Sequence, residues 1–310
     1  MARGSGFARF AVSEHGDRVN QRSTPGREPP SGSRKNGPKT FADLPRHSLD
    51  GPAVQDLTRG LYTFSDGPLT YDFIYSPSSE SRLFVLLAGS SDRKKYQAPL
   101  FQRWLWADAF PGHCLCIADP SLRLNSKLNL AWYFGVGDRP TIPTIATLVR
   151  NVASSLGIAA NDVFAYASSG GAFAALQLAL LLPEMTTVAI NPQTDVTRYE
   201  YMPARFPSVC LLEEDLEVAR ARYGSRLSLV KVADQLATRR ILYLQNRADK
   251  HHMRVHFAPL WSAMGMGSLE ESKGHVVPLL FDHPGGHGAA EPRERFPEFI
   301  ARAIELSRAG

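Results

Sequence analysis

The chain has 310 residues, 44% of them hydrophobic and 21% charged, an ordinary globular composition long enough for one large α/β domain. Its net charge of +5 sits mainly in residues 1–50, which hold nine Lys and Arg against five Asp and Glu, while the remainder holds 26 against 25. The body of the protein therefore has no electrostatic footprint for nucleic acid, and no apolar run approaches the roughly 18 residues of a membrane span.

Residues 1–48 are rich in Gly, Ser, Pro and Arg and lack hydrophobic periodicity. They read as disordered or loosely attached, ahead of a domain over 49–310. Residues 1–20 have no apolar core of a secretory signal, so cytoplasmic residence is the default expectation. Leu61–Phe64 and Leu69–Tyr75 predict two antiparallel strands around the turn Ser65-Asp66-Gly67-Pro68. Arg82–Ala88 is an almost continuous apolar run, as expected of a central strand covered on both faces. It ends in Gly89-Ser90-Ser91-Asp92-Arg93, which is either an ordinary polar loop or a turn that aims backbone N–H groups, Ser90 among them, at an oxyanion.

Pro99–Ala107 predicts a short helix and His113–Ala118 a strand. Cys114 and Cys116 lie two apart on that strand, so they share a face and pack as small hydrophobes. With Cys210 they make three cysteines, too few for a disulfide framework, and no CxxC or HExxH pair is present. Neither a metal site nor a cofactor is expected. The long loop Asp119–Thr141 carries Trp132 and Tyr133, which either offer a stacking platform to a sugar or apolar group or simply cover the sheet edge. Ile142–Leu156 has the spacing of an amphipathic helix.

Val163–Tyr166 is a short β-prone run that stops at Ala167-Ser168-Ser169-Gly170-Gly171, and a helical pattern over 171–183 begins without a loop. A strand can pass into a helix so abruptly only if bulky side chains are kept out of the turn. Those are the mechanics of the nucleophile elbow G-x-S-x-G. The frame selects Ser169, flanked by Ala167 and Gly171; choosing Ser168 would put Tyr166 in a crowded position. The N–H of Gly170 is a second oxyanion candidate.

Thr187–Ile190 is the next strand, with Asn191-Pro192-Gln193-Thr194-Asp195 hanging from its end, where Asn191 and Gln193 are candidate substrate contacts. Residues 197–235 read as a mostly helical insertion. Arg240–Gln245 is a buried strand followed by Asp249. A helix over about 252–264 precedes the strand His275–Phe281, which leads into His287 and a last helix over about 291–307. Ser169, Asp249 and His287 thus follow in the chain order serine, acid, histidine, each on a loop after a strand. Asp195 rivals Asp249 as the acid, and His283, His251 and His252 compete with His287. The two glycines beside His287 favour it.

Several stretches together carry a resemblance: Gly89-Ser90-Ser91-Asp92-Arg93, Pro99-Leu100-Phe101-Gln102-Arg103, Ala118-Asp119-Pro120, Ala131-Trp132-Tyr133-Phe134-Gly135, Tyr166-Ala167-Ser168-Ser169-Gly170-Gly171 and Asn191-Pro192-Gln193-Thr194-Asp195. Over about residues 80–200 the chain resembles bacterial α/β-hydrolase-fold proteins of surface-glycan biosynthesis, of the capsular-polysaccharide and accessory-secretion O-acetylation kinds. Ala167 departs from the glycine of that pattern. The resemblance implies an acyl-transfer enzyme acting on a glycan ester or other carbohydrate, with a glycan-synthesis protein as a candidate partner. The residues themselves imply serine acyl transfer. A non-catalytic scaffold on the same fold is the alternative expectation.

Overall fold

The computed structural model describes residues 40–289 and 291–309. Among these residues nine strands form one sheet: β1 (Arg46–Ser48), β2 (Gly60–Asp66), β3 (Leu69–Ser76), β4 (Leu83–Leu87), β5 (His113–Ile117), β6 (Val163–Ser168), β7 (Thr186–Ile190), β8 (Arg240–Asn246) and β9 (Val276–Phe281). Their spatial order is β1-β2-β3-β5-β4-β6-β7-β8-β9. β2 and β3 pair as an antiparallel hairpin, β3 meets β5 antiparallel, and every pairing from β5 through β9 is parallel.

The two-residue period of the strands divides the core into two layers. Leu83, Val85 and Leu87 of β4, with Val163, Ala165 and Ala167 of β6, pack under helices α1 (Ile142–Ser155) and α2 (Gly170–Leu181). Phe84 and Leu86, with Phe164 and Tyr166, face the opposite layer, where the C-terminal helix Phe296–Arg308 contributes Phe296, Phe299, Ile300 and Ala303. Cys114 and Cys116 lie in this second layer as free, buried thiols. The chain leaves β4 toward β5 on one side and returns to β6 on the other. That reversal opens a crevice at the C-terminal ends of β4 and β6, the usual ligand position of a doubly wound sheet.

Several local expectations shift. Residues 1–39 lie outside the described part, but residues 41–48 are packed onto the domain. Phe41 meets Phe101 and Trp104 edge-on, Leu44 is buried, and β1 pairs parallel with β2. Residues 41–48 thus pack as part of the domain, because two apolar side chains in a polar segment suffice to anchor them. The helix expected over Pro99–Ala107 is a 3₁₀ helix, Trp104–Ala109, since Gln102 and Arg103 turn their side chains inward and Arg103 adopts φ 63°. The segment 197–235 holds short pieces, the longest being the helix Leu216–Tyr223.

Truncation tests the boundary. On composition, deleting residues 1–39 should leave the melting temperature within about 2 °C of the full chain. Deleting 1–48 removes Phe41 and Leu44, each contributing about 1.5–3 kcal/mol of burial. Together they amount to about 3–6 kcal/mol, and at about 2–4 °C per kcal/mol the melting temperature should fall by roughly 6–24 °C. Equal melting curves for the two truncations would contradict this.

Candidate active site

The turn from β6 into α2 has the elbow geometry that the small residues call for. Ser169 adopts φ 56°, ψ −126°, rare for a residue with a Cβ. Its N–H donates to Ile190 O at 2.9 Å, and its carbonyl accepts from the N–H groups of Ala172 and Gln193. A Cβ on Gly171 would fall 2.8 Å from Leu87 O and 2.9 Å from the Ala88 carbonyl, and one on Gly170 would meet Leu130 Cδ1. Helix α2 can therefore start so close to β4 only with glycine at 171, whereas a side chain at 170 would press on Leu130. Ser168, the other serine, is fully buried and accepts a hydrogen bond from Arg103 Nη2 at 2.7 Å.

Three loops converge on Ser169. His287 Nε2 lies 3.0 Å from Ser169 Oγ, and His287 Nδ1 lies 2.8 Å from Asp249 Oδ2. With Asp249 ionised, Nδ1–H donates to the carboxylate and Nε2 is left to accept from the serine hydroxyl. Asp195 lies elsewhere: it accepts from Thr197, Ser228 and Arg220 and so ties down the 197–235 segment. His283 accepts from Gly285 N–H, and His251 faces Glu200 at 3.5 Å.

Asp249 is shared by a second imidazole. His252 Nδ1 lies 3.1 Å from Asp249 Oδ1, its backbone N–H donates to the same oxygen, and its ring stacks on His287 at 4.0 Å and 13°. Burial would push the Asp249 carboxyl up, but the hydrogen bonds from His252 and His287 outweigh it and hold the group below the usual carboxylate range. Burial pushes His252 down despite its bond to Asp249, and it lowers His256, which accepts from Thr194 N–H, to about 3. Both imidazoles are neutral at neutral pH.

These shifts set an acid-stability profile. His252 and His256 are depressed, so their contribution is complete above the unfolded value of about 6.5 and is lost progressively as pH falls below it. Asp249 is also depressed, so its contribution is lost only below about 4. Denaturant melts should show stability falling from about pH 6.5 to 4, with a shallower slope in His256→Asn. A flat midpoint between pH 7 and 4.5 would contradict the assignment.

The Gly89-Ser90 turn lies beside the serine: a Cβ on Gly89 would be 3.6 Å from Ser169 Cβ. Gln102 braces it, accepting from Gly89 N–H at 3.0 Å and donating to Ser90 O at 3.0 Å. Gly170 stands at the first turn of α2, where N–H groups point outward and the helix dipole favours negative charge. The four residues expected to touch substrate are instead buried. Trp132 and Tyr133 are 1% and 0% exposed, and both hold positive φ. Tyr133 OH accepts from Ala88 N–H and donates to Ile117 O; Trp132 Nε1–H donates to Gln193 Oε1. Asn191 Oδ1 accepts from Asn246 N–H, and its Nδ2 lies 3.4 Å from Asp249 Oδ2. These side chains hold the backbone around the serine and the acid; they are not an open platform.

No protein-family model matches the sequence, and no curated protein matches it. Solved structures do match in shape. The capsule O-acetyltransferase of Neisseria meningitidis serogroup A superposes with a TM-score of 0.53 at 14% identity, over 79% of this chain and 96% of that one. A Rhizomucor miehei esterase superposes with a TM-score of 0.52 at 14% identity, over 82% and 85%. The glycosylation-associated Gap123 complex of Streptococcus agalactiae gives a TM-score of 0.52 at 13% identity, over 77% of this chain and 44% of that one. The chain has the α/β-hydrolase fold.

Within this hydrolase fold the crevice holds groups that sequence reasoning passed over. Asn246 Nδ2 donates to His283 O and Gly286 O, and its Oδ1 accepts from His283 and Ala248 N–H groups, which stitches the acid loop to the histidine loop. An Asn directly after a buried strand was the one available signal. Asp249, His252 and His287 also have ligand atoms within 4.8 Å of one another. Their two rings are nearly parallel, however, so one ion cannot lie in both ring planes, where the nitrogen lone pairs point. The arrangement suits a shared carboxylate better than a metal centre.

Proposed function

We propose that the protein is a serine-dependent acyl-transfer enzyme, an esterase or O-acyltransferase, that works through an acyl-enzyme on Ser169. One observation carries this reading: the continuous chain Ser169 Oγ–His287 Nε2 at 3.0 Å and His287 Nδ1–Asp249 Oδ2 at 2.8 Å, with the serine on a strained elbow. Serine is a poor nucleophile on its own and needs an imidazole to take its proton; the imidazole needs a carboxylate to fix its tautomer. Ser169 Oγ attacks the acyl carbonyl while His287 Nε2 takes its proton. Asp249 stabilises the imidazolium. The N–H groups of Gly170 and Ser90 receive the oxyanion. His287 then protonates the leaving oxygen, and water or an acceptor hydroxyl completes the cycle through the same base.

Carbohydrate as the acceptor or ester rests on the sequence resemblance and on the likeness in shape to a capsule O-acetyltransferase. Among the described residues no helix is long and apolar enough to cross a membrane. The scaffold reading, supported by the likeness to a glycosylation-associated complex, places the same fold beside a glycan-synthesis partner without catalysis. A fluorophosphonate probe separates the two, because it reacts with an activated serine. Stoichiometric labelling of the wild-type protein, mapped to Ser169, and turnover of an acetyl ester with a burst are expected. Folded protein that takes up no probe would favour the scaffold.

A further inference from the structure

Arg103 is a buried cation that the proposed chemistry does not use. Its side chain is 0% exposed, and that of its partner Glu291 is 3% exposed. The pair is bidentate: Nε lies 2.9 and 3.0 Å from the two carboxylate oxygens and Nη2 lies 2.7 Å from Oε2. The remaining donors reach the machinery around Ser169. Nη1 lies 3.3 Å from Leu87 O, at the end of β4, and Nη2 lies 2.7 Å from Ser168 Oγ. The guanidinium also sits over the Tyr166 and Trp106 rings at 5.6 and 6.0 Å.

We propose that the Arg103–Glu291 pair positions the active site, holding the Gly89-Ser90 turn, the Ser169 elbow and the His287 loop in mutual register. This rests on the acyl-transfer reading above. One guanidinium touches all three segments: Leu87 stands two residues before Gly89, Ser168 one before Ser169, and Glu291 four after His287. The adjacent Gln102 grips the same turn through Gly89 N–H and Ser90 O. Arg103 takes its place at φ 63°, a conformation that costs a non-glycine residue and persists when the surroundings impose it.

Stability alone is a weak reason for the arrangement. Burying an ion pair costs desolvation, and apolar residues of similar volume often serve as well or better. The planar fork instead supplies fixed directions, which a lysine or an apolar pair cannot reproduce. Misplacing a reacting group by about 1 Å can cost on the order of 100-fold in rate. Arg103 and Glu291 are therefore positioning residues that act through Ser168, Leu87 and the His287 loop.

The test compares Arg103→Met, Glu291→Leu and the double variant by melting temperature, by fluorophosphonate labelling rate and by kcat and KM for an acetyl ester. Each single variant leaves a buried charge unpaired and should lose many degrees of melting temperature. The double variant should regain most of that loss, yet its kcat and labelling rate should stay roughly 30- to 100-fold below wild type with KM changed less than about threefold. Recovery of kcat along with melting temperature would overturn the proposal. If the double variant does not regain its fold, Arg103→Lys decides. It keeps the charges balanced but loses the fork, so a kcat at least about tenfold down at near-wild-type stability supports positioning, and unchanged kcat overturns it. Wild-type protein that takes no probe would overturn the acyl-transfer reading itself, a different result from a labelled wild type with a fully active double variant.

Discussion

Ser169→Ala should abolish fluorophosphonate labelling and lower kcat for an acetyl ester by about 10⁵- to 10⁶-fold, while the protein stays folded. The residue carries the only hydroxyl that the structure places against His287 Nε2 among the described residues, at 3.0 Å. Its backbone is already strained at φ 56°, and alanine has the same Cβ, so stability should change little. Ser168→Ala makes the contrast. It removes one of the two acceptors of Arg103 Nη2, the other being Glu291 Oε2, and should cost about 1–3 kcal/mol, the usual range for a buried N–H left unpaired. Labelling should persist at a reduced rate. A folded Ser168→Ala protein that takes no probe, beside a labelled Ser169→Ala protein, would move the nucleophile one residue back.

Asp249→Asn should lower kcat by about 10³- to 10⁴-fold with a smaller change in KM. The carboxylate accepts from His287 on one oxygen and from His252 on the other. An amide offers only one acceptor oxygen. Turned to satisfy His252, it presents N–H groups to His287 Nδ1, which must then accept and place its proton on Nε2. That proton faces Ser169, where an unprotonated nitrogen with its lone pair free to accept is needed. Asp195→Asn should act differently, because Asp195 binds Thr197, Ser228 and Arg220. Its loss should loosen the 197–235 segment and appear in stability or KM before kcat. A near-normal kcat in Asp249→Asn with a crippled Asp195→Asn would transfer the role of the acid.

The parts of this architecture legible in the chain are those whose cause is local. Strands β4 and β6 announce themselves as short, almost continuous runs of residues suited to burial, because both faces of each meet a core layer. The elbow is legible because five consecutive residues, Ala167 to Gly171, all carry small side chains, although the atoms that two of them make room for, Leu130 and the carbonyls of Leu87 and Ala88, come from elsewhere in the chain. The order of Ser169, Asp249 and His287 follows from reading which polar residues end successive strands, since a parallel sheet delivers all those ends to one edge.

What the tertiary structure alone decides is which distant groups meet. Arg103 and Glu291 are 188 residues apart, and neither carries a local mark of being buried, because a charged side chain reads as solvated until its partner is known. Trp132 and Tyr133 could equally have faced water or core; the bonds to Gln193, Ala88 and Ile117 that settle the matter come from three other loops or strands. The same holds for Asn191, which turns to Asp249 and Asn246, and for His252, whose ring stacks on the distant His287. Phe41 and Leu44 were hidden by the polar residues around them, since composition averages over a window whereas burial is settled by single side chains finding a groove. Local sterics and periodicity are written in neighbouring residues; side-chain pairing across the fold is a property of the packed sheet, which brings together loops that the linear chain keeps apart.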